Sequence, residues 1–167
     1  AIFSADYDAK LTQTFAGRTW TASGNTLRYT LPFRSDEDPR SASIPYGAPV
    51  ILFQEVEEGM WVSTSSKIYF HAGKNPTEAG GFALTAEYDF PAIAGTGEKV
   101  HASKLGIDQD GFVAIFATTK GICYGTSSGA LINMSEGVYS YHVGQKGIST
   151  IKEENGIIQY IVKMINQ

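Results

Sequence analysis

The chain has 167 residues, 43% of them hydrophobic and 18% charged, which suits one domain with a proper core and is the opposite of a disordered balance. Its formal charge of −4, with Lys and Arg scattered along the chain, excludes the basic footprint of a nucleic-acid or anionic-membrane binder. No apolar run approaches the roughly 18–20 residues that a membrane helix needs, and a single Cys123 allows neither an internal disulfide nor a C-x-x-C metal pair.

Short β-branched and aromatic runs, separated by Gly or Ser/Thr turns, follow one another along the chain. "PVILFQEV", "GMWVSTSS", "KIYFHAG", "FALTAEYDF", "GFVAIFATT", "GICYGT", "GISTIKE" and "GIIQYIVKMI" read as strands of about five to eight residues. No window carries the 3.6-residue apolar period of an amphipathic helix, so the chain is expected to be all-β. Between the runs, "RSDEDPR" (34–40) and "EVEEG" (55–59) read as solvated loops. The opening "AIFSADYDAK", without Met, reads as the start of a trimmed chain or of a fragment.

An internal repeat organises these runs. "WTASGNTLRY" (20–29), "WVSTSSKIYF" (61–70) and "IFATTKGICY" (115–124) align without gaps. Trp20, Trp61 and Ile115 coincide, then Leu27, Ile68 and Ile122, then Tyr29, Phe70 and Tyr124. A weaker copy, "IKEENGIIQY" (151–160), turns at Asn155-Gly156, the strongest local hairpin signal. The spacing of the copies averages close to the ~40 to 50 residues of a four-stranded propeller blade. The expected organisation is therefore one all-β domain over 1–167, with four hairpin repeats at about 17–33, 59–73, 111–126 and 147–164. Its sheets are blade-like and antiparallel, a β-propeller or part of one, with a β-sandwich or barrel as the alternative.

Candidate chemistry is sparse. Gly125-Thr126-Ser127-Ser128-Gly129 satisfies the G-x-S-x-G nucleophile pattern. That motif needs a following helix and a downstream acid and histidine. Here the following segment is Ser/Gly-broken, no Asp follows Ser127, and only Glu136 and His142 could serve, so the stretch reads as a loop. His71, His101 and His142 lack local second ligands of the H-x-x-x-H kind. Asp108-x-Asp110-Gly111 resembles the opening of a calcium loop without the remaining oxygen ligands. The glycines at 24, 95, 97, 125 and 129 build no nucleotide loop. Trp20 and Trp61 could stack on sugars, but their shared repeat position points to packing between adjacent sheets. The expectation is no catalytic, cofactor-binding or metal residue, no cofactor, and no enzyme activity.

The segments "GRTWTASGNTLRYTLPF" (17–33), "GMWVSTSSKIYFHAGKNP" (59–76), "FVAIFATTKGICYGTSSGALINMSEGVYSY" (112–141) and "GISTIKEENGIIQYIVKM" (147–164) resemble a family of phage and prophage virion-associated proteins built from propeller-like repeats. The run Gly121-Ile-Cys-Tyr-Gly125 through Asn133-Met-Ser135 carries part of the likeness. The resemblance implies a non-enzymatic structural or tail component of the virion, assembled in the host cytoplasm. Its partners would be other virion proteins, or a second copy completing the ring, with no nucleic acid and no membrane. Members of that family are usually longer, which implies either a whole protein or the C-terminal half of one. The alternative is a recognition module, a propeller lectin or adhesin, with a glycan as its partner. Buried Trp20 and Trp61 would favour assembly, and exposed ones beside Asn, Asp or Arg would favour sugar.

Overall fold

A computed structural model describes residues 11–34 and 42–165. The opening segment and most of the acidic stretch after Arg34 lie outside the described residues. Within them the chain is all-β, with four antiparallel sheets, none of which closes into a barrel.

The first sheet is a meander of β1 (Thr12–Phe15), β2 (Arg18–Ser23), β3 (Thr26–Tyr29) and β4 (Ser43–Pro45). The second orders β5 (Val50–Val56), β6 (Gly59–Thr64), β7 (Ile68–Ala72) and β8 (Ala83–Tyr88) in the same way. The third runs β9 (Glu98–His101), β10 (Phe112–Thr118), β11 (Gly121–Gly125) and β12 (Leu131–Asn133), with a 3-10 turn at Ala102–Leu105 after β9. The fourth holds only β13 (Lys146–Glu154) and β14 (Ile157–Ile165).

The aligned segments form equivalent hairpins. Trp20 stands opposite Tyr29, Trp61 opposite Phe70, Ile115 opposite Tyr124 and Ile151 opposite Tyr160. Local chemistry fixes this register. Each turn begins three residues after the first member of the pair and has two central residues, which suits tight hairpins. Gly24 and the Asn155-Gly156 pair supply the positive φ angles that two of these turns require.

Successive sheets pack face to face, so the core is layered. Trp20, Leu27 and Tyr29 meet Phe53, Met60 and Val62 of the second sheet. Trp61, Ile68 and Phe70 meet Ala114, Phe116 and Cys123 of the third. Both tryptophans are fully buried, as packing between adjacent sheets requires. The first strands approach one another along the series, β1 with β5, β5 with β9 and β9 with β13.

A connector between β8 and β9 stitches three sheets together. Its Ala92 N–H donates to Ser63 Oγ (2.9 Å), its Ile93 N–H to the Ala117 carbonyl (2.8 Å), and its Ala94 carbonyl accepts from Gly147 N–H (2.8 Å). Thr96, fully buried, donates to the Ile93 carbonyl (2.7 Å) and accepts from Ala117 N–H (3.1 Å). Satisfying these groups internally is what allows irregular backbone to run through a core. Gly95, at φ +83°, lies so close to β13 that a Cβ would meet the Gly147 carbonyl oxygen at 2.0 Å.

The fourth hairpin breaks the repeat in one respect. In the first three sheets the Trp20, Trp61 and Ile115 face looks forward to the next sheet. Ile151 and Tyr160 instead face back onto Val113, Ile115 and Tyr124. Two faces competed for that position, as they do in any strand. The one with Ile151, Ile158, Tyr160, Val162 and Met164 is the more apolar. The other carries Ile148, Ile157, Ile161 and Ile165, interrupted by Lys146, Lys152 and Lys163, and it is left outward.

Candidate functional site

Three places among the described residues hold enough chemistry or exposed surface to act on something else. The first is a cleft of about 480 Å³ between the outer strands of the first two sheets, lined by Tyr46, Tyr69, His71, Phe82, Pro76 and Leu84 among others. The sequence brings these together because β4 leads into Tyr46, while β7 places Tyr69 and His71 two residues apart. Tyr46 Oη and His71 Nε2 are hydrogen-bonded at 2.8 Å. The His71 ring stacks on Phe82 with centroids 4.6 Å apart and planes within 2°, and Tyr46 tilts against Tyr69 at 5.2 Å.

His71 is only 5% exposed, and burial lowers its pKa from the ordinary imidazole value to about 4, opposed weakly by the Phe82 backbone. It is a neutral ring at physiological pH. Its Nδ1 makes no hydrogen bond of acceptable geometry. Burial, with the neighbouring Tyr69 phenol, raises the Tyr46 pKa above the ordinary phenol range. Among the described residues no charged side chain lines the cleft. Its described lining can hold an uncharged, flat or apolar group, and the Tyr46–His71 pair is not poised for acid–base work near neutral pH.

The second place is a smaller cavity of about 380 Å³ where the first three sheets converge. Lys99 Nζ donates to Glu55 Oε1 and Oε2 (2.8 and 3.0 Å) and lies 5.1 Å from the Phe112 ring centre, while Lys74 pairs with Glu58 outside the lining (3.0 Å). The Lys99–Glu55 pair ties the third sheet to the second.

The third is a surface. Of the eleven large hydrophobic side chains exposed among the described residues, nine lie between Ile132 and Ile165. Val138, Tyr139 and Val143 lie on the connection into β13, and Ile148, Ile157, Ile161 and Ile165 form the outward face of the last hairpin, with Ile157 63% exposed. Exposed apolar side chains gathered in one patch are a common feature of contact sites. Each nine-residue strand of that hairpin pairs with the other along its length, and an isolated two-stranded ribbon is marginal in water. It is held to the body by the Tyr160 hydroxyl donating to the Thr96 carbonyl, by Ser149 Oγ to Glu98 Oε1 (3.0 Å) and by Lys104 to Glu153 (2.8 Å).

The residues singled out from the sequence lie apart from these places, His71 and His142 excepted. Ser127 sits in the turn between β11 and β12, with a strand and no helix after it. Its Oγ is buried without a hydrogen-bond partner among the described residues. His101 Nδ1 pairs with Ser103 Oγ (2.8 Å) at the head of the 3-10 turn. His142 is exposed, its N–H bonded to Gln145 (2.7 Å). Asp108 and Asp110 lie on the exposed loop before β10. Among the described residues no group of three or more His, Cys, Asp or Glu is placed to hold a metal ion. Cys123 is buried, and burial raises its thiol pKa, which leaves it an unreactive core residue.

The aromatic cleft and the Ile face escaped sequence reading for different reasons. Tyr46 and His71 are 25 positions apart, with no local pattern joining them. The alternation of isoleucines in "GIIQYIVKMI" was visible, but not which half of it would be left uncovered. No family model matches the chain, and no curated protein matches it.

Proposed function

We propose that this chain is a non-enzymatic structural component of a phage virion or tail, working through protein–protein contact. The observation that carries the reading is the concentration of exposed apolar side chains in the C-terminal third, on a body whose other sheets cover one another. Burial of Trp20 and Trp61 adds support, since it removes both from a sugar-stacking role. So does the architecture. Three four-stranded meanders, inner strands converging and outer strands parted by a cleft, are what a propeller-like arrangement requires, and we read them as three blades followed by a terminal hairpin.

A test is to purify particles from the producing host on a density gradient and probe each fraction with an antibody to this chain. The reading expects the chain to band with intact particles; a chain that remains wholly in the soluble fractions overturns it.

Glycan recognition is a second reading, favoured by the Tyr46–Tyr69 cleft, whose ring faces suit an uncharged sugar. It predicts binding on a glycan array that Tyr69→Ala abolishes while melting stays unchanged. Absence of any glycan signal from the native chain sinks it.

A further inference from the structure

We infer that the edge of β14 left unpaired among the described residues is the seat of a second copy of this chain, the two β14 strands pairing antiparallel about a two-fold axis through Ile161. The inference rests on the reading of the C-terminal third as a contact surface, and it names the partner.

The outer edges of the other sheets are blunted. β4 is three residues long and ends in Pro45, β12 is three residues long, and β8 is interrupted by a register shift against β7 opposite Phe70 and His71. These are the devices that keep sheet edges from pairing with other chains. β14 has none of them. It runs nine residues in unbroken register with β13, contains no proline and carries one charge, Lys163. Among the described residues its ladder is with β13 alone.

Its sequence, Ile157-Ile-Gln-Tyr-Ile-Val-Lys-Met-Ile165, is self-complementary about its midpoint. A two-fold axis at Ile161 overlaps all nine residues. It sets Ile157 beside Ile165 of the second copy and Ile161 beside its own counterpart on the outward face, with Gln159 beside Lys163 between them. On the inward face Ile158 meets Met164 and Tyr160 meets Val162. No like charges fall opposite one another, which would otherwise oppose pairing. Exposed Ile157, Ile161 and Ile165 gain apolar neighbours, and the sheet becomes four-stranded, β13-β14-β14-β13, matching the strand number of the other three sheets. An isologous contact of this kind closes on itself and yields a dimer, not a fibre.

The experiment is sedimentation equilibrium of the full chain from micromolar to tens of micromolar, with three variants. The native chain is expected at twice its monomer mass. Ile161→Lys puts two lysines at the axis and is expected to run as a monomer with an unchanged circular dichroism spectrum. As a measurement independent of that variant's folding, Gln159→Cys and Lys163→Cys chains are mixed and oxidised. Directly opposed pairs lie within disulfide reach, so the mixture is expected to cross-link between the two variants while each alone does so far less. A native chain that stays monomeric overturns the inference, whether residues 1–10 or a different protein occupy the edge. So does a dimer in which the mixture cross-links no better than either variant alone. A monomer that still bands with particles overturns this contact and leaves the assembly reading standing; a cross-linked dimer absent from all particle fractions does the reverse.

Discussion

Ile151 and Tyr160 stand directly opposite each other on the last hairpin, as Trp61 and Phe70 do on the second sheet, yet they look in the other direction. The Trp61 pair faces forward onto Phe116, with ring centroids 6.4 Å apart. The Ile151 pair faces back onto Ile115. The same hairpin chemistry has thus been used to continue the stack of sheets and then to end it, leaving the isoleucine face and the β14 edge outward.

Trp61 holds the second and third sheets together. Its ring is fully buried against Phe70 (4.8 Å), and its Nε1 donates to the Thr126 carbonyl at 3.0 Å. Trp61→Ala is expected to cost about 3–5 kcal/mol, and Trp61→Phe less, because most of the volume stays while one hydrogen bond is lost. Urea unfolding monitored by far-ultraviolet circular dichroism decides this, and an unchanged midpoint for the alanine variant would contradict the layered core.

Gly125 is required by that same ring. A Cβ there would meet Trp61 Cε2 at 2.2 Å, a rigid group with no room to move. Gly125→Ala should therefore destabilise by about 1–3 kcal/mol as an overpacked core does. Restoration of stability in the double variant with Trp61→Phe would show the clash to be the cause.

His71 makes folding sensitive to mild acid. Its folded pKa of about 4 lies below the unfolded value near 6.5, so below that value the unfolded chain takes up a proton that the folded one refuses. Stability is unaffected by this group above about pH 6.5 and is lost as pH falls toward 4, by up to roughly 3 kcal/mol. Comparing urea midpoints of the native chain and His71→Gln between pH 7.5 and 4.5 isolates the effect from that of the carboxylates. Equal acid losses in both proteins would refute it.

Thr96 docks the terminal hairpin. Replacing it with Val removes the hydroxyl that serves Ile93 and Ala117, and should cost about 1–3 kcal/mol. Amide exchange is expected to rise in the 93–97 connector and in β13 and β14 before it rises in β6 or β10. Uniform exchange across all sheets would show that the hairpin is not docked through this residue.

Ser127 is expected to be inert. Its hydroxyl is buried with no partner among the described residues, so Ser127→Ala should leave stability unchanged or raise it by about 1–3 kcal/mol, and a fluorophosphonate should leave the chain unlabelled. Covalent labelling at Ser127 would restore the nucleophile reading.

The sequence by itself determined the four hairpins and the strands that form them. Trp20 with Tyr29, Trp61 with Phe70 and Ile115 with Tyr124 were legible because a two-residue turn and a period of two fix pairing within ten residues of chain. Burial of the tryptophans was legible from their shared place in the repeat. Only the tertiary structure decided which way the last hairpin faces, since both of its faces carry isoleucine and the choice depends on what Ile115 and Tyr124 present from another sheet. It likewise decided that His71 meets Tyr46, that Thr96 threads between sheets, and that β14 pairs with β13 alone among the described residues. Hairpin register is a contest among neighbours in the chain; the facing of a sheet is a contest for apolar cover among segments far apart in it, and that contest is settled only when all the sheets are in place.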